Sequence, residues 1–445
     1  MKTSPVSVSM MMRLLVAAGL IGQAIAPAQQ LATASAIPGA AISAPTARHA
    51  PTSDEEVAKA EAAAKTEDSK PADEKWTRLG DAFMQKGRET ADVTYYGRAE
   101  SAYRKALASN AKAVDAMVGM AWVDGGRHEF ELSVEWAKKA LALEPDRADA
   151  YGLLGDASVE MGNYENAFEN YQKMLDLKPD ISSYSRGAHL LFLAGDLRKA
   201  TLLMTKAIET GGPYAENTAW CRAQWALMQF SVGSYLSAEQ MLTEGLQASP
   251  NNYHLLAAMG KVKAALKQYD AAIEYYKKAE AIVPQHEVVV ALGDIYTLQG
   301  KTNEAAAQYA LVDVIHKLNR ANGVIGDMQM AQFFADHDRN LDEAVRMEET
   351  EYATRPNVYV ADVLAWCYYK TGRMADAQKM IGKAMAQSTP EALFLYHQGA
   401  ILAGAGDTAH AKTALYQALS INPNFHPLAA RAAEKMVQDL GSVNE

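Results

Sequence analysis

The chain has 445 residues, with 43 Lys plus Arg against 53 Asp plus Glu, a formal net charge of −10. That balance, with no Lys/Arg-rich run, argues against nucleic acid and against an anionic membrane surface as partners, since both are held by basic patches. Two cysteines, Cys221 and Cys367, are too few for a disulfide scaffold, and no Cys/His pair has zinc-ligand spacing.

Lys2 and Arg13 give a weakly positive start, and residues 14–26 form an apolar run too short to stay in a membrane as a span. Ala26-Pro27-Ala28 fits the small-x-small rule for cutting before Gln29, so residues 1–28 read as a secretory signal peptide. An organellar transit peptide is the alternative; the compact apolar run and its cleavage site favour secretion. No cysteine near the site could carry a lipid, and no twin-Arg pair is present. The mature chain is expected to be exported, periplasmic or fully secreted, with no transmembrane span. Residues 29–74 are rich first in Ala, Pro, Ser and Thr, then in Ala with charged residues. They carry too few large apolar side chains to bury a core, so they read as a disordered or partly helical tether.

From Trp76 onward the chain repeats. A small residue near the start of each second helix recurs at Ala99, Ser133, Ala167, Ala200, Ala238, Ala272, Ala305, Ala344, Ala377 and Ala411, at spacings of 33 to 39 residues. Helices pack closely only where side chains are small, so each of these marks a tight crossing. A second ladder, Gly80, Gly119, Gly155, Ala188, Ala226, Gly260, Gly293, Ala331, Ala365 and Gly399, sits in the first helices. Prolines such as Pro145, Pro179, Pro250 and Pro423 close units, and glycines such as Gly162, Gly195 and Gly372 supply the turn between the two helices.

This order of residues resembles the tetratricopeptide repeat family of exported bacterial type, clearest at Tyr151, Leu154, Gly155, Ala167, Tyr171 and Pro179. The resemblance implies an all-α fold, a right-handed superhelical α-solenoid of about ten helix-turn-helix units. Seven units fill residues 75–322 as one lobe and three fill 323–423 as a second. Residues 311–322 are expected to extend the seventh unit's last helix, and 424–445 to form a capping helix. Glu348 and Glu351 depart from the family's pattern in the eighth unit. The two cysteines lie four units apart, too far to bridge, and read as free thiols.

No catalytic motif survives inspection. Gly404-Ala405-Gly406-Asp407-Thr408-Ala409 matches a dinucleotide fingerprint, but no strand precedes it. His128-Glu129 starts like a zinc-protease helix, yet Leu132 stands where the second histidine belongs. The repeats use up the chain from Lys75, so neither an enzyme domain nor a cofactor or metal site is expected.

The resemblance implies a concave groove, lined by first helices, that binds protein or peptide segments. Projecting those helices on a 3.6-residue period gives His189, Phe192, Trp220, Leu227 and Phe230 in units four and five, and Tyr359, Trp366, Tyr369 and Tyr396 in units nine and ten. Asp156, Lys261, Asp294, Asp362 and Lys370 join them. Aromatics on a solvated face suggest a hot spot, although such residues also pack on the neighbouring helix. The family's carboxylate clamp needs Asn after the first-helix glycine; Asp81, Asp156, Lys261 and Asp294 stand there instead, so chaperone tails are not expected. The function expected is an adaptor that assembles an envelope or secreted complex. The alternatives are a binder of a sugar or amphiphile, and an enzyme whose site lies between the lobes around Asp313, His316 and His337.

Overall fold

The computed structural model describes residues 52–66, 70–321 and 327–442; the expected signal peptide lies outside them. The described residues form 22 α-helices and no strand. Ser53–Ala64 (α1) comes first, and Ala429–Ser442 (α22) closes the array. Between them stand ten antiparallel helix pairs. Units 1 to 5 pair Ala72–Thr90 with Thr94–Ser109, Val114–Gly126 with Phe130–Leu143, Ala148–Glu160 with Tyr164–Leu177, Ile181–Leu193 with Leu197–Thr210, and Ala215–Ser231 with Tyr235–Ala248. Units 6 to 10 pair Tyr253–Ala265 with Tyr269–Ile282, His286–Leu298 with Thr302–Ala321, Asp327–Asp336 with Leu341–Thr354, Val358–Lys370 with Met374–Ala384, and Ala392–Gly404 with Thr408–Ile421. The fold is an all-α solenoid.

The small-residue ladders explain how each pair closes. A Cβ on Gly155 would stand 2.2 Å from the Tyr171 ring, and one on Gly293 would stand 2.3 Å from Tyr309. The first helix leaves a slot, and an aromatic ring from the second helix fills it. The tyrosine hydroxyl then emerges beside the next residue along. Tyr103 donates to Asp81, Tyr171 to Asp156 and Tyr309 to Asp294, each over 2.8 Å. Gly155→Ala is therefore expected to cost about 1–3 kcal/mol through overpacking. A drop in the urea midpoint at unchanged slope checks this; an unmoved midpoint would mean the ring has room to shift.

The solenoid winds tightly enough for successive coils to touch. The interhelix turn of unit 3 meets the end of unit 8: a Cβ on Gly162 would lie 2.5 Å from the Pro356 carbonyl oxygen. Gly195 of unit 4 faces the Ser388 carbonyl at 2.7 Å, after unit 9, and Gly233 of unit 5 faces that of Ile421 at 3.1 Å, ending unit 10. One coil thus takes about five units. These turns run at positive φ, but His128 and Lys267 manage the same turn in units 2 and 6. What requires glycine in units 3 to 5 is the approach of the next coil. At Gly300, Gly372 and Gly406 no atom lies that close.

Polar rungs complete the seam. The Tyr164 hydroxyl accepts from the Val358 N–H (3.0 Å), the Thr389 hydroxyl donates to the Leu193 carbonyl (2.8 Å), and Asn422 Nδ2 donates to the Phe230 carbonyl (2.7 Å). Tyr235 donates to Asn422 Oδ1 and accepts from the Asn424 N–H at 3.1 Å. One contiguous apolar cluster runs through residues 159–228 and 289–433, joining the two stretches that the sequence divides at 322/323.

Of the tether expected over 29–74, the described residues are largely helical and packed on the array. Residues 53–64 are helical, and 72–74 belong to the first helix of unit 1. Thr52 and Glu55 form a reciprocal capping box, and the alanine-rich run carries high helix propensity. Buried Ala60 seats α1 in the first apolar cluster, and Asp54–Lys86 (2.8 Å) and Glu61–Arg98 (2.9 Å) tie it to unit 1. At the other end, His426 of the segment before α22 reaches Asp294 of unit 7 at 3.3 Å.

Candidate functional site on the inner face

From unit 2 onward most residues of the first helices are buried, so these helices sit inside the coil, while second helices keep one solvated face. In the first helix of unit 9, residues 360–368 are all buried. The groove residues expected from the sequence lie on these inner helices, and they divide into closed and open groups.

Phe192, Phe230, Trp366 and Tyr396 are buried. Trp366, 5% exposed, stacks between Tyr369 (centroids 5.0 Å apart, 15° between planes) and His397 (4.3 Å, 15°), with Tyr396 at 5.6 Å. Its indole N–H donates to Asp336 over 2.8 Å, and Lys370 lies 5.5 Å from the ring while pairing with Asp338 at 2.6 Å. His189, Trp220, Leu227, Tyr359 and Tyr369 are half-buried and still meet solvent. Phe192, Trp366 and Tyr396 belong to the cluster that crosses the seam, with Trp220, Tyr359 and Tyr369 packed against it. Phe230 and Leu227 fall into a separate cluster of units 5 and 6. The structure thus joins most of the N-terminal and C-terminal aromatics in one body, which projection of separate helices could not show.

The charged groove positions have partners. Asp156 accepts a bidentate pair from Arg186, both bonds 2.8 Å, besides the Tyr171 bond. Asp362 pairs with His397 Nδ1 at 2.9 Å, both side chains shut from solvent; burial raises the Asp362 pKa and the histidine opposes it. Lys261 Nζ lies 4.8 Å above the Phe230 ring. Burial lowers the His189 pKa from 6.5, favouring a neutral ring.

Asp294 gathers the densest set. His337 Nε2 reaches it at 2.8 Å, while His337 Nδ1 lies 2.8 Å from the Phe333 carbonyl. An acceptor beside each ring nitrogen favours the imidazolium: burial lowers the His337 pKa, and the Asp294 bond raises it by more. Those bonds hold the Asp294 carboxyl well below the usual carboxylate range despite desolvation. The candidates for chemistry at the joint do not converge: His337 is spent on Asp294, and Asp313 pairs with Arg339 at 3.4 Å. Among the described residues, no group of three or more His, Cys, Asp or Glu side chains is placed to hold a metal ion. Cys221 and Cys367 are buried free thiols.

Sequence reasoning missed His397, Asp336 and Phe425, which wall the Trp366 stack. It also missed that Asp81, Asp156 and Asp294 are claimed by tyrosines. The signal was present as Gly-Asp in a first helix with a tyrosine four residues after the second-helix alanine.

These paired helices around an enclosed inner face define an α-solenoid protein. Tetratricopeptide repeats are matched within it at residues 148–181, 392–425 and 254–313. The chain is 23% identical over 355 residues to cellulose synthase operon protein C of Xanthomonas axonopodis pv. citri, covering 74% of this chain and 23% of that protein. It is 23% identical over 242 residues to superkiller complex protein 3 of Mus musculus, covering 53% of this chain and 15% of that one. The chain therefore spans less than a quarter of either relative. Among solved structures, the human IFIT1 dimer with m7Gppp-AAAA is similar at a TM-score of 0.48 and 14% identity, covering 76% of each chain. No helix among the described residues is long and apolar enough to cross a membrane.

Proposed function

We propose that this chain is an exported scaffold that holds a protein or peptide segment on the inner face of its coil, in the assembly of an envelope or secreted complex. Tetratricopeptide arrays hold protein and peptide partners, and their stacked first helices make the extended surface for it. The observation that carries the reading is the row of half-exposed inner residues, Trp220, Leu227, Tyr359 and Tyr369, seated on a rigid aromatic floor. Large amphipathic rings fixed in place bind at low entropic cost. Export rests on the character of residues 1–28.

Photo-crosslinking in the native host tests this. A reactive residue at Tyr369 is expected to give a discrete heavier band. The same residue at Leu236, 74% exposed on a second helix, should give none. Identical bands from both positions, or none from Tyr369 and Trp220 alike, would remove the inner face as the binding surface.

A further inference from the structure

Three separate parts of the chain meet at the buried Asp294 carboxylate. Asp294 stands on the first helix of unit 7, His337 directly follows the first helix of unit 8, and His426 lies in the segment between unit 10 and α22. Both histidines reach Asp294, one at each oxygen, and their hydrogen bonds demand opposite proton counts.

His337 needs a proton on each ring nitrogen. Its Nδ1 lies 2.8 Å from the Phe333 carbonyl oxygen, which can only accept. Its Nε2 lies 2.8 Å from Asp294 Oδ1, and that carboxyl, held far below the usual range, is ionised and also only accepts. The groups facing the ring are accounted for. From unit 7, the Tyr309 ring stands 4.7 Å away and gives its hydroxyl proton to Asp294 Oδ1, while His286, kept neutral by burial, lies across Phe333. From its own side come Asp336 and Arg339, the latter paired with Asp313. The His337 pKa is raised above 6.5, so this contact stabilises the fold fully below pH 6.5 and is lost as pH rises through the raised value.

His426 needs one nitrogen bare. Its Nδ1 accepts from the Leu428 and Ala429 N–H groups, both at 3.2 Å, and its backbone carbonyl accepts from the Ala430 N–H at 3.1 Å. The imidazole thus caps the first turn leading into α22, the part usually taken by Ser or Asp. A nitrogen that accepts carries no proton, so the ring's one proton sits on Nε2, 3.3 Å from Asp294 Oδ2. Lys267 and Tyr269 of unit 6 and Arg431 and Glu434 of α22 line the same recess, and Arg431 reaches the Tyr269 hydroxyl at 3.5 Å.

A second proton on His426 would set an N–H against two backbone N–H groups and place positive charge at a helix N-terminus. Its attraction to Asp294 would hold the ring in place, so the start of α22 is the part that lets go. Loss of a proton from His337 leaves one ring proton for two acceptors, and the end of unit 8's first helix parts from unit 7.

We infer that Asp294 is the centre of a proton-counting clasp, complete only while His337 carries two ring protons and His426 carries one. Acid uncaps α22 at the end of the array. Alkali loosens the joint between units 7 and 8. The array is fully closed in the window between.

Imidazole ¹⁵N spectra of the full chain, assigned with His337→Gln and His426→Asn, test the proton count. At pH 7 His337 is expected to be protonated on both nitrogens and His426 on Nε2 alone; either ring in another state would overturn the clasp. Hydrogen exchange, expressed relative to the unfolded chain at the same pH, tests the consequence. From pH 7 to pH 5, amides 428–432 should lose protection by about fivefold. His426→Asn should show no such loss, because its Oδ1 accepts the same N–H groups and does not titrate. From pH 7 to pH 9, amides 327–337 should lose protection by about tenfold, and His337→Gln should stay flat. That second comparison is made with Glu348→Met in both chains, so that the Glu348 carboxyl adds no alkaline response of its own. A flat parent, or a loss that persists in the matching variant, would overturn the corresponding side. Should a variant fail to fold, the parent alone decides: each exchange midpoint must coincide with the midpoint of its histidine's own spectrum, and midpoints that differ would overturn the proposal.

Discussion

Replacing Arg355 with leucine is expected to destabilise the chain by about 3 kcal/mol, because it leaves the buried Glu351 carboxylate without its counter-charge, while Glu160 keeps Asn357 and solvent. Arg355 is buried between coils. Its Nε and Nη2 donate to Glu160 at 3.1 and 2.7 Å, and its Nη1 donates to Glu351 and lies 3.3 Å from His128 Nδ1. The guanidinium also rests 5.6 Å from the Phe130 ring. Glu351 is buried enough that its pKa is raised even with Arg355 beside it. Without the arginine it must either take a proton or stay charged and unpaired. Urea unfolding measures the loss, and adding Glu351→Gln should recover part of it, since the stranded charge then disappears. A loss below about 1 kcal/mol, with no recovery, would mean the pair behaves as an exposed one.

Glu348→Met is expected to act in the opposite direction and to depend on pH. Glu348 is 0% exposed, and neither carboxylate oxygen has a hydrogen-bond partner among the described residues. Burial, and after it the charge of Glu351, raises its pKa well above the ordinary 4.5. The folded chain therefore holds this proton more tightly than the unfolded chain does. Stability from this group is full below pH 4.5 and falls as pH climbs above it, by up to about 1.4 kcal/mol per pH unit, until the folded group itself ionises. Methionine of similar volume carries no such penalty. The variant should gain about 2 kcal/mol or more over the parent at pH 8, with the gap closing toward pH 5. Unfolding curves at both values decide it. A gap of the same size at both, or a less stable variant at pH 8, would show that Glu348 is charged and partnered in the folded chain.

These two positions show where the sequence was informative and where it stopped being so. The fold was legible because each unit repeats the same local solution: a small residue in the first helix and another near the start of the second. A residue such as Gly155 or Ala167 declares its role without reference to distant units. Glu348 and Glu351 stood out as departures from the pattern, and Arg355 follows Glu351 at the i, i+4 spacing of a helical ion pair, but nothing local revealed Glu160, almost two hundred residues away, on the other side of that arginine. The groove was legible only as a list of faces. Helical projection directs Trp366 and Phe192 inward. It could not show that coil diameter brings the inner faces together and shuts several of these rings from solvent. A partial cue did exist in the residue that opens each second helix. Phe130, Tyr164, Tyr235 and Tyr269 stand where the next coil or the C-terminal segment touches them, and Thr302, Met374 and Thr408 stand where nothing covers the turn.

The seam also changes how such a chain should fold. A repeat array is ordinarily quasi-one-dimensional: each unit stabilises only its neighbours, and unfolding can fray from either end. Here Gly162, Gly195 and Gly233 touch residues about 190 positions further along the sequence. Such contacts raise the contact order of an otherwise local topology, so the closing of the second coil onto the first should be a slow late step. They also couple the ends. The last three units cannot melt without exposing the turns of units 3 to 5, so the array is expected to lose its structure as one cooperative block where a chain of independent neighbours would unzip.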